Sequence, residues 1–129
     1  MILDTTFFID LLRNDPLAIK KATELEKKNI PLAATTVTVF ELWRGFSKLK
    51  NPEKIERACE MLDQLTIYSL DIQSAKTAGE IAHNLDRLGQ VIDPEDSLIA
   101  GIAVEKHEEI LTRNIRHFNR IPHLLVSDY

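Results

Sequence analysis

Short apolar segments alternate with longer amphipathic ones along the chain, and this alternation restricts the fold more than any other feature of the sequence. Strands separated by helices form a parallel sheet with helices on both faces. The segments typical of strands are Met1–Asp4, Ile30–Ala34, Thr66–Leu70, Glu109–Thr112 and Leu124–Val126. In such a sheet, ligand sites lie beyond the carboxyl ends of the strands, at a switch in strand order.

Cap residues followed by proline mark several helix starts, at Asn14-Asp15-Pro16, Asn51-Pro52-Glu53 and Asp93-Pro94-Glu95. Thr5 and Thr6 are suited to cap the first helix, and Thr35 or Thr36 the third. The predicted helices are Phe7–Arg13, Pro16–Lys28, a third ending at Lys50, Pro52–Gln64, Asp71–Leu88, Pro94–Lys106 and Ile115–Asn119.

The composition is that of an ordinary globular domain. The 129 residues are 44% apolar and 28% charged, so we expect one domain spanning 1–129. The single cysteine, Cys59, excludes an internal disulfide and indicates a reducing cytoplasm. No apolar run approaches the roughly 18 residues of a membrane span. The net charge of −4 argues against a general nucleic-acid coat, but not against an enzyme with a local basic rim.

Three separated carboxylates, Asp4, Glu41 and Asp96, each lie beside an apolar segment. Carboxylates brought together near a core repel one another, and a hard divalent ion such as Mg²⁺ or Mn²⁺ relieves that repulsion. Each acid also has a simpler explanation. Asp4 could cap the following turn, Asp96 could complement a helix dipole, and Glu41 could form a surface pair with Arg44 or Lys48.

Helical spacing favours an inward position for Asp96. Its neighbours one and two helical turns away include Ile99, Ala100 and Ala103, which are all apolar. The same test is indecisive for Glu41, whose helical neighbours are Val37 and Gly45.

Four segments, in this order along the chain, resemble the PIN-domain ribonucleases, particularly the VapC-type toxins of toxin–antitoxin pairs. They are Ile2-Leu3-Asp4-Thr5-Thr6, Val39-Phe40-Glu41-Leu42, Asp96-Ser97-Leu98-Ile99-Ala100, and Leu111-Thr112-Arg113-Asn114-Ile115-Arg116-His117-Phe118. The resemblance covers the whole chain. It implies a three-layer α/β/α sandwich around a central parallel sheet of about five strands.

The resemblance also implies an Mg²⁺- or Mn²⁺-dependent endoribonuclease that cleaves RNA with metal-activated water. Asp4, Glu41 and Asp96 would be its metal-binding acids, and Thr112 the hydroxyl near them. Family members often carry a fourth acid where this chain has Thr112–His117. Asn114 can still bind the metal through its carbonyl oxygen or through water, but it contributes no charge. Whether Asn114 or His117 replaces that acid stays open, as does the number of metal ions.

Basic residues lie within and just after the fourth segment, and we predict that Arg113, Arg116 and Arg120 contact the RNA backbone. Alternatively, these arginines lie on a short solvent-exposed helix and neutralise the charges of nearby acidic residues without binding RNA. Surplus apolar residues on the first and third helices, such as Trp43 and Phe46, are mostly core. Some could serve a homodimer contact or a groove for a VapB-type antitoxin, as the resemblance implies.

Two other functions are consistent with parts of the sequence. A phosphoacceptor receiver domain has a similar length and an acidic pocket, but the acid pair and late lysine that it needs are missing here. A catalytically silent PIN module that binds RNA or protein is the second alternative.

Overall fold

A parallel five-stranded sheet forms the centre of the computed structural model, which describes residues 1–129. Every paired neighbour runs parallel, and the strand order is β3-β2-β1-β4-β5. The strands are β1 (Ile2–Leu3), β2 (Ala33–Thr35), β3 (Thr66–Tyr68), β4 (Ile110–Leu111) and β5 (Val126–Ser127). The predicted α/β fold with a parallel sheet is therefore confirmed.

Seven helices cover the two faces of the sheet. They are α1 (Thr5–Leu12), α2 (Pro16–Lys27), α3 (Thr36–Leu49), α4 (Pro52–Asp63), α5 (Ile72–Arg87), α6 (Pro94–Lys106) and α7 (Ile115–Phe118). None of them has the length and apolar character needed to cross a membrane.

Alternating strand residues divide the interior into two apolar clusters. Ile2, Ala33 and Ile110 face α5, α6 and α7. Their chain neighbours face the opposite layer, which contains α1, α2, α4 and the second half of α3. Period-two alternation in three central strands thus builds the three-layer arrangement that the family resemblance implied.

Strand β1 lies at the centre of the sheet, between β2 and β4. The chain proceeds outward from β1 through β2 to β3, and then returns to the other side of β1 to form β4 and β5. The strand order therefore reverses between β1 and β4. The crevice beyond the carboxyl ends of these two strands is where open parallel sheets bind their ligands.

Helices α5 and α6 approach closely because Gly101 has no side chain. A Cβ atom at this position would lie 2.8 Å from the Cβ of Ala78, which is far inside van der Waals contact. This close packing fixes α6, and with it the first turn of α6 at the edge of the crevice.

Candidate active site

Asp4 follows β1 directly and is only 2% exposed. Its Oδ2 accepts hydrogen bonds from the hydroxyls of Thr112, at 2.7 Å, and Thr6, at 2.8 Å. No protein group donates to Oδ1. The buried carboxylate is thus held by two hydroxyls through one oxygen, which leaves the other available to a ligand.

Glu41 lies in α3 and is half-buried. The hydroxyl of Thr5 donates a 2.8 Å hydrogen bond to its Oε1. Burial, together with repulsion from Asp4 and Asp96, raises the pKa of Glu41, although the Thr5 hydrogen bond opposes the shift. Helical spacing does not decide the orientation of Glu41, but in the structure its side chain faces the other acids.

Asp96 lies in the first turn of α6, and its side chain is 14% exposed. Burial raises the pKa of its carboxyl, and repulsion from Asp4 adds to that shift. The opposing influence is His117, whose Nδ1 lies 2.7 Å from Asp96 Oδ2. The inward position that helical spacing predicted for Asp96 agrees with this burial.

The charges of Asp4 and Asp96 act on Glu41, and the charge of Asp4 acts on Asp96, so the three carboxylates face the same crevice. Their chemistry fits a hard divalent cation, because oxygen donors with mutual repulsion are what Mg²⁺ and Mn²⁺ neutralise. The donor atoms that lie closest together belong to a different set of residues, which shares only Asp96 with these three acids. Ligand atoms of Asp93, Asp96 and His117 all lie within 4.8 Å of one another.

Capping does not explain the acids at this crevice. Asp15, Thr35, Asn51 and Asp71 each accept a hydrogen bond from the backbone of the helix that follows. The N-cap residues of α1, α6 and α7, which are Asp4, Asp93 and Asn114, accept none. Asp4 therefore occupies the N-cap position of α1, but its carboxylate does not cap the helix.

Thr112 is fully buried at the end of β4. Besides donating to Asp4, its hydroxyl accepts the backbone N–H of Asn114 at 2.9 Å. The Asn114 side chain makes no hydrogen bond within the protein, whereas His117 contacts Asp96 directly. Of the two residues left open as substitutes for the fourth acid, His117 is the one in contact with the cluster.

The three arginines predicted to bind RNA have different surroundings. Arg113 forms ion pairs of 3.2 Å with both Asp10 and Asp15, and its guanidinium lies over the Tyr129 ring. Arg120 donates to the backbone carbonyls of His117 and Val91. Arg116 is exposed and has no such partner.

Sequence reasoning missed the part that Asp93 takes in this cluster. Asp93 occupies the N-cap position of α6, as the Asp93-Pro94 pair predicts, but it is exposed and its carboxylate does not cap the helix. The three-residue spacing between Asp93 and Asp96 could have predicted this cluster, because it places two carboxylates in one helical turn. Thr5 and Thr6, predicted as caps, instead donate to Glu41 and Asp4.

An apolar groove adjoins Glu41. It has a volume of about 190 Å³ and lies between α1, α3 and α4. Its apolar lining consists of Ile9, Leu12, Leu42, Phe46 and Leu49.

Comparison with known proteins agrees with this geometry. Residues 1–124 match the PIN domain. Ribonuclease VapC2 of Rickettsia felis is 29% identical over 99% of this chain and 96% of its own length. The tRNA(fMet)-specific endonuclease VapC of Salmonella typhimurium is 30% identical over the same shares of the two chains.

A DNA-bound VapBC structure from Salmonella typhimurium superposes with a TM-score of 0.87 at 28% identity, covering 98% of this chain and 96% of that one. The chain belongs to the PIN domain family and is a VapC-type member of it.

Proposed function

We propose that this protein is the toxin of a VapC-type toxin–antitoxin pair and acts as a metal-dependent endoribonuclease. In this proposal residues 1–129 form one catalytic domain that works in the cytoplasm. The observation that supports it most is the hydrogen-bonded position of Asp4 at the ends of β1 and β4, with Glu41 and Asp96 close enough to repel its charge.

Asp4, Glu41 and Asp96 hold the Mg²⁺ or Mn²⁺ ion in this proposal. The bound cation supplies charge neutralisation at the phosphate and activates water for attack. Thr112 and Thr6 fix the orientation of the Asp4 carboxylate, and Thr5 does the same for Glu41. Water would attack the phosphorus and the 3′ oxygen would leave, as in the family that the chain resembles, so no side-chain nucleophile would be required.

RNA is the substrate class, and the relatives named ribonuclease or tRNA-specific endonuclease support it. Arg116 is the arginine best placed to contact the RNA backbone, since its charge is exposed and unpaired. Asn114 lies beside it with an amide that is not committed to the protein.

A VapB-type antitoxin is the proposed partner, because relatives have been solved as VapBC complexes. The groove beside Glu41 suits an apolar segment of such a partner. We also propose that the toxin forms a homodimer.

The test is cleavage of labelled tRNA by the wild type, Asp4→Asn and Asp96→Asn, with Mg²⁺ or with a chelator. We expect each substitution to reduce cleavage by at least about 100-fold, because the loss of one charged ligand weakens the site that stabilises the transition state. Asp86→Asn on the exposed part of α5 is the matched control and should leave cleavage unchanged.

Full activity of Asp96→Asn, or cleavage that persists in the chelator, would contradict the proposal. RNA binding without cleavage by the wild type would favour the catalytically silent PIN module instead.

A further inference from the structure

We propose that Asp93, Asp96 and His117 form a mixed oxygen and nitrogen donor set, which makes the protein prefer a divalent transition-metal ion such as Mn²⁺ over Mg²⁺. The inference rests on the metal-dependent function proposed above, because Asp96 belongs to both sets. It adds a specificity-determining residue, His117, to that site.

The spacing of the donors is close to that of a single-ion site. Their ligand atoms all lie within 4.8 Å of one another, and His117 Nδ1 is 2.7 Å from Asp96 Oδ2. Metal–donor bonds of about 2.1 Å place neighbouring ligands roughly 3 Å apart when they meet at a right angle. The Asp96–His117 pair is already close to that separation.

The carboxylate of Asp93 is not committed to another role. Asp93 occupies the N-cap position of α6, yet its side chain accepts no backbone hydrogen bond. It is also exposed, so a cation can reach it from solvent. At the other N-cap positions that carry a capping side chain, the oxygen is occupied by the helix that follows.

Arg120 holds together the two segments that carry these donors. Its Nε donates to the carbonyl of His117 itself, at 3.3 Å, and its guanidinium donates to the carbonyl of Val91, at 3.1 Å. Val91 lies two residues before Asp93. One side chain therefore links α7 to the segment that precedes α6, and the donor set is ordered before any ion binds.

The donor types determine the preference. Mg²⁺ favours oxygen ligands in a strict octahedral arrangement, and it gives up its water reluctantly. Imidazole nitrogen binds transition metals more strongly than it binds Mg²⁺. A histidine in contact with an acid of the cluster therefore adds affinity for Mn²⁺ while adding little for Mg²⁺.

Direct binding measurements test this without RNA. The dissociation constants of Mn²⁺ and Mg²⁺ are measured by calorimetry for the wild type, His117→Gln and His117→Asp. Electron paramagnetic resonance of the bound Mn²⁺ detects coupling to a ligand nitrogen. His83→Gln, which alters an exposed histidine on α5, is the matched control.

We expect His117→Gln to weaken Mn²⁺ binding on the order of 10-fold, to leave Mg²⁺ binding nearly unchanged, and to remove the nitrogen coupling. His117→Asp should tighten Mg²⁺ binding, because it supplies an oxygen donor. Glutamine retains a hydrogen-bonding group for Asp96, so a role limited to orienting Asp96 would leave the metal preference intact.

An unchanged Mn²⁺ to Mg²⁺ affinity ratio in His117→Gln would overturn the inference, as would a wild type without nitrogen coupling. Either result leaves the ribonuclease proposal standing if Asp4→Asn still abolishes cleavage. A wild type that binds neither ion, with cleavage insensitive to a chelator, would overturn both.

Discussion

The hydroxyl of Thr112 donates a 2.7 Å hydrogen bond to Oδ2 of Asp4, and this contact joins the ends of β4 and β1. Both residues are almost completely buried. Because the strand order reverses between these two strands, the contact lies at the base of the crevice. It couples the position of the central carboxylate to the turn that leads into α7.

Replacing Thr112 with valine should therefore impair both stability and activity. A buried carboxylate that loses one of its two hydroxyl donors costs about 2 kcal/mol. Cleavage should fall on the order of 10- to 100-fold, as for the loss of other groups that orient metal ligands. Urea unfolding and RNA cleavage measure the two effects, and Thr112→Ser is the control that retains the hydroxyl. Equal behaviour of the valine and serine variants would show that the hydrogen bond is unimportant.

Glu41→Gln should stabilise the metal-free protein while it reduces activity. Burial and the neighbouring acids disfavour the charged form of Glu41, whereas a glutamine can still accept the Thr5 hydrogen bond. We expect a gain of about 1 kcal/mol in the free energy of unfolding with a chelator present. Thermal unfolding with a chelator and with saturating Mn²⁺ is the measurement. A loss of stability in the chelator would contradict the repulsion that we infer.

The same repulsion predicts a pH dependence. Folding raises the pKa of Glu41 above its ordinary value of 4.5, so the folded state binds this proton more tightly than the unfolded state. The contribution of Glu41 to stability is therefore fully present below pH 4.5 and is lost as the pH rises through the higher folded-state pKa. In a chelator, the advantage of Glu41→Gln over the wild type should grow across this window and then become constant. Urea unfolding at a series of pH values tests this, and a constant difference from pH 4 upward would refute it.

Arg113 and Arg116 should differ in what they contribute. Arg113 is paired with Asp10 and Asp15, and Asp10 also accepts the Tyr129 hydroxyl at 2.7 Å. We therefore expect Arg113→Ala to lower the melting temperature. Arg116→Ala should leave the fold intact and weaken RNA binding, with the slope of log affinity against log salt reduced by about 0.7. Salt titrations of RNA binding, made without divalent metal, compare the two variants. A reduced slope in Arg113→Ala, with the slope of Arg116→Ala unchanged, would show that Arg113 is the RNA contact.

Gly101→Ala should destabilise the protein through the contact between α5 and α6. The new methyl group would lie 2.8 Å from the Cβ of Ala78, and the resulting overpacking costs about 2 kcal/mol. Gly79→Ala, at an exposed position of α5 with nothing within 4 Å, should instead stabilise by about 0.5–1 kcal/mol through helix propensity. Chemical unfolding of the two variants compares them. Similar shifts in both would mean that the two helices adjust freely.

Local patterns predicted the elements well, because caps and prolines act within a few residues. The helices that begin at Pro16, Pro52 and Pro94 start where the sequence indicated. The first helix begins at Thr5 rather than Phe7, since Asp4 takes the N-cap position. The second strand is limited to Ala33–Thr35, although the apolar run begins at Ile30.

The site was less accessible to sequence reasoning, because its contacts join distant parts of the chain. Helical spacing could orient Asp96 but not Glu41, whose environment depends on Thr5 in another helix. The pairing of Arg113 with Asp10 and Asp15 depends on how α1 and α2 pack against the turn after β4. No periodicity within one segment carries that information.

Two of the helices that border the acids, α1 and α6, have Asp4 and Asp93 at their N-cap positions, so the N-terminal ends of both helices lie at the crevice. The partial positive charge at these helix ends is permanent, and it offsets some of the acidic repulsion. The polypeptide can therefore reach its native shape before any ion is captured. On the proposed metal dependence, metal loading would then follow folding as a separate event, and a cell starved of the ion would contain folded but inactive protein.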